Sequence, residues 1–347
     1  MKALLIHAAK DLRLADVVPR PLGSREVRIS VRAGGICGSD LSYYFKGRVG
    51  DFALQEPLIL GHEVAGTIAE VGDDVDGLAV GEAVAIDPSR PCLACPDCLA
   101  GRSNLCRNML FYGSAARMPH VQGAFSDFVI ARADQCHRIP DSMSFATAAM
   151  AEPLAVALHA VKRAGDIMGR RVVIAGAGPI GLLVALAAKQ AGAAEISVFD
   201  LAEPPLEKAE EIGADAVYKV GGSDDPLKPF EANKGTFDIA FEATGALPAL
   251  ASLLRITRPG GRVVQIGMLP PGEVTVAANL LMAQEIDYLG SFRFHEEYKM
   301  AVDFLTSGKI DVDPLITGTY DLDEADAAFE AAADRNRSIK VQLRFER

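Results

Sequence analysis

The 347-residue chain is predicted to be an α/β protein that combines a compact, partly open β-barrel domain with a doubly wound parallel-sheet domain. Three observations favour this fold class. The length exceeds the size at which a single hydrophobic core usually stops growing, so two domains are expected. Up to about residue 150 the chain carries short strand patterns cut by glycine, whereas strands alternate with helical segments from about Met150 onward. Such alternation forms βαβ units, which build a parallel sheet.

The barrel strands are predicted from short apolar patterns in the N-terminal part of the chain. MKALLIHAAKDLRL is expected to form a first strand, because its apolar run is too short for a signal peptide. Four further patterns follow, namely EVRISVRAGGIC, HEVAGTIAEVG, VGEAVAI and AFSDFVIAR. Short strands at this spacing, separated by glycine, favour a barrel over a parallel sheet.

A cysteine-rich segment, PCLACPDCLAGRSNLC, interrupts these strands with Cys92, Cys95, Cys98 and Cys106. The C-x2-C-x2-C-x7-C spacing lets a short turn wrap several thiolates around one tetrahedral zinc, at Zn–S distances of about 2.3 Å. A disulfide framework is the alternative, but a long chain without a secretory leader has little need of cross-links. We therefore predict a structural zinc in a lobe at about residues 88–110.

The second domain is predicted from RRVVIAGAGPIGLLVALAAKQAGA, which has the pattern of a buried strand, a glycine turn and an apolar helix. Further buried strands are predicted at EISVFD, DAVYKV, FDIAFEATG, GRVVQIGM and IDYLGSF. After Ser291 the chain becomes acidic and helical, and it ends in the strand-like IKVQLRF, which we place back on the first domain. The expected domains are therefore 1–153 with 291–347, and 154–290.

A glycine motif, Gly176-Ala177-Gly178-Pro179-Ile180-Gly181, stands between the strand and the helix that open the second domain. In this context G-x-G-x-x-G predicts dinucleotide binding, with the pyrophosphate at the helix N-terminus. Gly176 permits the tight turn, Gly178 lets the backbone approach the pyrophosphate, and Gly181 permits close helix–strand packing. Asp200, at the end of the next strand, is expected to bind both hydroxyls of the adenosine ribose. Its charge would repel a 2′-phosphate, so NAD is favoured over NADP.

A second Cys/His set predicts a catalytic zinc, which takes three protein ligands and leaves one position open. Cys37 in GGICGSDLSYY and His62 in LGHEVAG supply two ligands. The third is expected to be a carboxylate, either Glu63 or Glu152, because the remaining cysteine, Cys136, lies in an unrelated strand-like context. Taken alone, Cys37 is also consistent with a small buried apolar residue.

Composition excludes several classes of partner. The net charge is -11 and the pI about 5.1, which argues against nucleic acid or an anionic membrane as the main partner. No apolar stretch reaches the roughly 18 residues of a membrane span. With four of the six cysteines assigned to zinc, a reducing cytoplasm is the expected location. An anionic ligand would have to be held by local cationic groups.

These motifs together, with Gly61-His62-Glu63-x-x-Gly66, resemble the zinc-dependent medium-chain dehydrogenase/reductase family over essentially the whole chain. The resemblance implies a GroES-like fold for the barrel domain, a Rossmann NAD-binding domain, and a homo-oligomer, either a tetramer or a dimer. Glu152-Pro153-Leu154 resembles the polyol dehydrogenase branch, in which a glutamate replaces a cysteine ligand. CGSDLSYY, FYGSA followed by PHVQGAF, AEPLAVALHA and GSFRF resemble the members of that branch that act on L-idonate.

Site roles follow from the resemblance, residue by residue. Cys37 and His62 would bind the catalytic zinc, and Glu63 and Glu152 remain alternatives for direct or water-mediated contact. Asp40 would orient the ligating imidazole. Ser39 would accept the substrate proton. Most relatives have histidine three residues after that serine, whereas this chain has Ser42, so the usual histidine relay is in question.

The implied activity is zinc-dependent, NAD-linked and reversible oxidation of L-idonate to 5-keto-D-gluconate. The alternative is a dehydrogenase for neutral polyols such as sorbitol or xylitol. A non-catalytic nucleotide sensor would predict loss of Cys37 or His62, and both are present. Tyr43 is a candidate contact for a substrate hydroxyl or, alternatively, a core aromatic. Arg293 is expected to line the cleft between the domains and hold the substrate carboxylate, although sorbitol-type relatives also have an arginine there.

Overall fold

The computed structural model describes residues 1–345, and the chain divides into two compact units. The first comprises Met1–Glu152, Tyr298–Asp334 and the segment that begins at Lys340; the second comprises Pro153–Glu297 and Arg335–Ile339. From the sequence, the crossings between domains are expected at residues 154 and 291. The short return at Arg335–Ile339 has no counterpart in the prediction.

The strands of the described chain are short and mostly apolar on one face. They are β1 (Lys2–Ala8), β2 (Asp11–Asp16), β3 (Glu26–Gly35), β4 (Arg48–Val49), β5 (Phe52–Ala53), β6 (Leu58–Ile59), β7 (Glu63–Val71), β8 (Ala83–Ile86), β9 (Ser89–Arg90), β10 (Leu110–Phe111), β11 (Phe128–Arg132), β12 (Cys136–Arg138), β13 (Arg171–Ala175), β14 (Glu195–Asp200), β15 (Ala216–Lys219), β16 (Phe237–Glu242), β17 (Thr257–Gln265), β18 (Asp287–Gly290), β19 (Ile316–Asp321) and β20 (Lys340–Arg344).

The helices follow the same chain order. They are α1 (Gly38–Lys46), α2 (Pro96–Leu99), α3 (Phe145–Ala149), α4 (Ala151–Ala164), α5 (Pro179–Gln190), α6 (Glu203–Glu211), α7 (Leu247–Ile256), α8 (Ala278–Gln284), α9 (Glu297–Thr306) and α10 (Ala325–Ala333). Short 3₁₀ helices lie at Ser103–Leu105, Ala133–Gln135, Lys228–Lys234, Asp313–Leu315 and Leu322–Glu324.

The first unit is built around β3, the longest of its strands. One edge of β3 pairs with β7, and the other pairs with β11 along its first half and with β20 along its second half. A seven-stranded sheet results, in the order β12-β8-β7-β3-β20-β19 with β11 attached to β3. Its core includes the fully buried Ile29, Leu58 and Phe125. Within the C-terminal IKVQLRF, Lys340–Arg344 forms β20 in this sheet.

The second unit contains a six-stranded parallel sheet in the order β15-β14-β13-β16-β17-β18. The first strand of the unit, β13, lies near the middle, so the chain reverses its direction of winding between β13 and β16. Such a reversal creates a crevice at the carboxyl ends of the strands, where ligands bind in doubly wound folds. The predicted parallel sheet is confirmed.

The N-terminus differs from the prediction of one strand, because MKALLIHAAKDLRL forms the antiparallel hairpin β1–β2. Lys10 adopts a left-handed conformation, with φ of 62°, and this conformation closes the turn. None of the helices in residues 1–345 combines the length and the apolarity that a membrane span requires.

Candidate active site and zinc centres

The predicted catalytic ligands come together because neighbouring strands of the first unit deliver them. Cys37 follows β3 and caps the N-terminus of α1, while His62 directly precedes β7. Glu63 opens β7 opposite Gly35 of β3. One ligand atom from each of Cys37, His62 and Glu63 lies within 4.8 Å of the others, and this distance suits binding to one metal ion.

Lys340 is a member of this site that the sequence reasoning missed. The residue is 2 % exposed, and its ammonium group donates to both carboxylate oxygens of Glu63, at 2.8 and 2.6 Å, and to the carbonyl of Ile36 at 3.2 Å. Burial alone would lower the pKa of Lys340, but the Glu63 carboxylate reverses this effect and the pKa is raised. Lys340 therefore remains charged and forms a buried ion pair with Glu63. The available signal was a lysine at the start of the strand-like segment KVQLR.

The groups around Cys37, His62 and Glu63 favour a bound cation. Burial, together with the neighbouring Glu63, raises the pKa of Cys37 to about 12. Glu152, on α4, is 5 % exposed, and burial raises its pKa well above the usual range; His62, Glu63 and Cys37 are its electrostatic neighbours. The Nδ1 atom of His62 is buried, and the described residues offer it no hydrogen-bond partner. A divalent cation among these groups would favour the thiolate and carboxylate forms, so the donor set fits zinc.

Asp40 lies beneath this set on α1 and is completely buried. Its carboxylate accepts from the backbone N–H groups of Cys37, at 2.9 Å, and Gly61, at 3.2 Å, and so ties the two ligand-bearing segments together. The Nδ1 atom of His62 is 3.9 Å from the Asp40 carboxylate, which is too far for a hydrogen bond in this structure.

The other residues that the sequence singles out have separate surroundings. Ser39 is a neighbour of Cys37 and acts to lower the pKa of its thiol against the larger effect of burial, whereas the Ser42 hydroxyl donates to the carbonyl of Gly38 at 2.9 Å within α1. Tyr43 is 3 % exposed, and its hydroxyl accepts from the Ala115 backbone N–H at 2.9 Å. Arg293 belongs to the second unit, with a left-handed φ of 54° and its guanidinium 4.9 Å from the centre of the Phe292 ring.

The four predicted structural ligands, Cys92, Cys95, Cys98 and Cys106, have sulfur atoms within 4.8 Å of one another, and all six cysteines of the chain are free of disulfides. The Cys106 sulfur lies 3.4 Å from that of Cys92 and 4.0 Å from that of Cys95. Tetrahedral zinc with bonds of about 2.3 Å would hold sulfurs roughly 3.8 Å apart, so the lobe fits a closed zinc site.

Thiol ionisation in this lobe is uneven. Hydrogen bonds from the backbone of Ala94 and Cys95 lower the pKa of Cys92 to about 6, whereas burial and the neighbouring thiols raise that of Cys98 to about 12. Without a cation the four sulfurs would not all be thiolates at neutral pH. Metal binding is therefore coupled to deprotonation of this set.

The glycine motif occupies the turn from β13 to α5, with Pro179 as the first residue of the helix. Gly176 has a φ of 99°, and a Cβ on Gly181 would lie 1.8 Å from the Gly176 carbonyl oxygen. The Asp200 carboxylate accepts from the backbone N–H groups of Ala177, at 2.7 Å, and Ala202, at 3.0 Å. Asp200 also lines a cavity of about 590 Å³ in the second unit. The cavity, the turn and the helix terminus together fit the adenosine end of a dinucleotide.

Two family models match the chain. The alcohol dehydrogenase GroES-like domain matches residues 23–141, and the zinc-binding dehydrogenase model matches residues 179–307. The predicted combination of a GroES-like domain with a Rossmann-type domain is thus confirmed.

Curated relatives and a solved structure extend the match over the whole chain. L-idonate 5-dehydrogenase (NAD(P)(+)) of Escherichia coli is 40% identical over 317 residues, which are 91% of each chain. Sorbitol dehydrogenase of Bacillus subtilis is 37% identical over 346 residues, 99% of this chain and 97% of that one. The crystal structure of L-idonate 5-dehydrogenase from Escherichia coli superposes with a TM-score of 0.94 at 37% identity and covers 99% of this chain and 98% of that chain.

The chain therefore belongs to the zinc-dependent medium-chain dehydrogenase/reductase family, in its polyol dehydrogenase branch. It is an oxidoreductase of the zinc-dependent type that acts on polyols or sugar acids, and its expected cofactors are zinc and NAD.

Proposed function

We propose that the protein oxidises the C5 hydroxyl of the sugar acid L-idonate to give 5-keto-D-gluconate, reversibly and with NAD as the hydride acceptor. The observation that carries the chemistry is the buried set of Cys37, His62 and Glu63, whose ligand atoms lie within 4.8 Å of one another. L-Idonate is favoured by the Escherichia coli relative of that name, at 40% identity, and by the segments CGSDLSYY and GSFRF.

Cys37, His62 and Glu63 would hold the catalytic zinc. We favour Glu63 over Glu152 as the third ligand because a Glu63 oxygen belongs to the compact set, and because the Lys340 ammonium donates to both oxygens of that carboxylate and holds it beside Cys37. Glu152 would then be left with a water-mediated contact. Bound zinc supplies Lewis acidity that polarises the reacting oxygen of the substrate, and the nicotinamide accepts the hydride.

Ser39 is the proposed acceptor of the substrate proton. Ser39 lies in the first turn of α1, close to Cys37 in the chain, and a hydroxyl can both donate and accept a hydrogen bond. The Ser42 hydroxyl donates to the Gly38 carbonyl. A proton relay through Ser42 would therefore require this hydroxyl to change its hydrogen-bond partner. Asp40 would position Cys37 and the Gly61–His62 segment through its two backbone hydrogen bonds.

A second candidate function is oxidation of a neutral polyol, and the sorbitol dehydrogenase relative, at 37% identity over 99% of this chain, favours it. The two functions differ in whether the protein recognises a carboxylate. We propose Arg293 for that role, because a planar guanidinium can bind a carboxylate through two parallel hydrogen bonds.

Initial rates on L-idonate, sorbitol, xylitol and D-gluconate, each with NAD and with NADP, test the proposal. L-Idonate with NAD is expected to have the highest kcat/KM. A higher value for sorbitol or xylitol would replace the proposal with the second candidate function. Comparable rates with NADP would contradict the expected role of Asp200 in excluding the 2′-phosphate.

Substitution of Arg293 tests how the carboxylate is recognised. Since a charge-assisted hydrogen bond contributes about 1.5–3 kcal/mol, Arg293→Leu should lower kcat/KM for L-idonate by about ten- to a hundredfold. The loss on sorbitol should be distinctly smaller. Equal losses on the two substrates would show that Arg293 does not recognise the carboxylate.

A further inference from the structure

A buried carboxylate that the proposed chemistry does not use lies at the carboxyl end of β16. Glu242 is 0 % exposed, and it pairs in register with Ala175 on β13 and with Gln265 on β17. Burial of a charged group is costly unless hydrogen bonds compensate it. This position is also the edge of the parallel sheet at which dinucleotides bind.

Hydrogen bonds to Glu242 order the turn that follows β16. One carboxylate oxygen accepts from the Thr244 backbone N–H at 2.8 Å and from the Thr244 hydroxyl, while the Gly245 N–H donates to both oxygens, at 3.1 and 3.0 Å. The backbone carbonyl of Glu242 accepts from Ile266 and Gly267, each at 2.9 Å. One residue therefore holds the turns after both β16 and β17.

Two side chains extend this network across the sheet. The Gln265 amide donates to Glu242 and to the Gly267 carbonyl, the latter at 2.6 Å, and the Tyr288 hydroxyl donates to the Gln265 amide oxygen at 2.9 Å. Burial, with the nearby Glu242, raises the pKa of Tyr288 and keeps its hydroxyl protonated as a donor. We call these three residues, Glu242, Gln265 and Tyr288, the carboxylate network.

The turn that the network holds also forms part of the dinucleotide cavity. Thr244 lines the same 590 Å³ cavity as Asp200. A Cβ on Gly176 would lie 2.8 Å from the Thr244 methyl group, and one on Gly267 would lie 2.2 Å from the Gly245 nitrogen. The turn thus packs directly against the glycine motif, and a shift of the turn would move the wall of the cavity.

We propose that Glu242 is a positioning residue for the dinucleotide, acting through the Thr244-Gly245 turn. The proposal rests on dinucleotide binding by the second unit. A carboxylate suits this position because it accepts hydrogen bonds at both oxygens and so receives all its donors at once. An amide of the same shape would present a donor on one side: at the Oε1 position it would leave the Thr244 N–H without its acceptor, and at the Oε2 position it would oppose the Gln265 amide N–H.

The test uses the zinc-loaded full chain carrying Glu242→Gln, with NADH affinity measured by fluorescence titration. The Kd for NADH and the KM for NAD are expected to rise about ten- to a hundredfold, because charge-assisted hydrogen bonds are lost. The KM for the sugar substrate should change less than about twofold. Tyr288→Phe removes only the outermost hydrogen bond, and a rise in Kd of about two- to fivefold is expected.

Thr257→Val is the matched control. Thr257 is also fully buried in β17 but lies at the amino end of that strand, where its hydroxyl donates to the Leu253 carbonyl at 2.7 Å. The Thr257→Val variant should have a lower Tm and an unchanged affinity for NADH. The proposal is overturned if Glu242→Gln behaves in the same way, or, should that variant not fold, if Tyr288→Phe leaves the Kd unchanged. NADH binding by an enzyme inactive on L-idonate would refute the proposed substrate alone.

Discussion

At the scale of single residues, the candidate active site depends on how one buried charge is balanced by another. Glu63 and Lys340 are 1 % and 2 % exposed and form an ion pair of 2.6 Å next to Cys37. Removing one partner of such a pair leaves an uncompensated charge, which is far more destabilising than the loss of an exposed pair. The pair should therefore stabilise the fold of the site.

Lys340→Met is expected to lower the free energy of unfolding by up to about 3–5 kcal/mol, because the buried Glu63 would lose its ammonium partner and only the bound zinc would still oppose its charge. Denaturant unfolding at a fixed zinc concentration measures this change. The matched control is Arg344→Met on the same strand, whose partner Asp321 forms an exposed ion pair; its cost should be at most about 1 kcal/mol. Similar small losses for both variants would contradict the role assigned to Lys340.

At the scale of elements, Gly178 and Gly181 in the turn from β13 to α5 belong to one motif but differ in what surrounds them. A Cβ on Gly181 would meet the Gly176 carbonyl at 1.8 Å, whereas one on Gly178 would have no atom within 4 Å. Gly181 is therefore needed for packing of the helix on the strand. A Cβ at Gly178 would meet no protein atom, so the absence of a side chain there leaves space for a ligand.

Gly181→Ala should destabilise the protein by at least about 1–3 kcal/mol, as overpacked sites do. Gly178→Ala should keep the wild-type Tm but weaken NADH binding by at least about tenfold, since the methyl group would occupy the space of the pyrophosphate. Calorimetry and NADH titration on the two variants separate these effects. Unchanged NADH affinity in Gly178→Ala would remove the pyrophosphate from this position.

At the scale of the whole molecule, two candidate zinc sites of different character lie in one chain. The four-cysteine lobe would supply four protein ligands, whereas the set containing Cys37 would supply three and leave an exchangeable position. The first site should support folding, and the second should support catalysis. Their metals are expected to exchange at different rates.

The purified protein should contain two zinc ions per chain, of which mild chelation removes one together with the activity. Cys37→Ser should retain one zinc, a native fold and NADH binding but no turnover. Cys106→Ser should lose the lobe zinc and reduce folding yield, because structural zinc contributes directly to folding. Metal analysis by mass spectrometry checks the stoichiometry, and a single zinc in fully active protein would contradict it.

The local sequence was sufficient for much of the fold and for the principal ligands. The four-cysteine spacing and the glycine motif act over a few residues, where chain geometry alone restricts what can form, and both motifs lie where they were expected. The alternation of strands and helices was likewise enough to predict the parallel sheet. In contrast, the hairpin β1–β2 was read as one strand, because its turn depends on a left-handed lysine rather than on glycine.

Only the tertiary structure decided which distant side chains share an environment. Lys340 reaches Glu63 because β20 pairs with β3, although 277 residues separate the two side chains. The carboxylate network likewise joins residues from three neighbouring strands. Spacing in the sequence determines contacts within a turn or a helix, whereas contacts between strands depend on sheet order and register. For this protein the sequence alone therefore determined the family, the motifs and the ligand types, and the fold determined which charges neutralise one another.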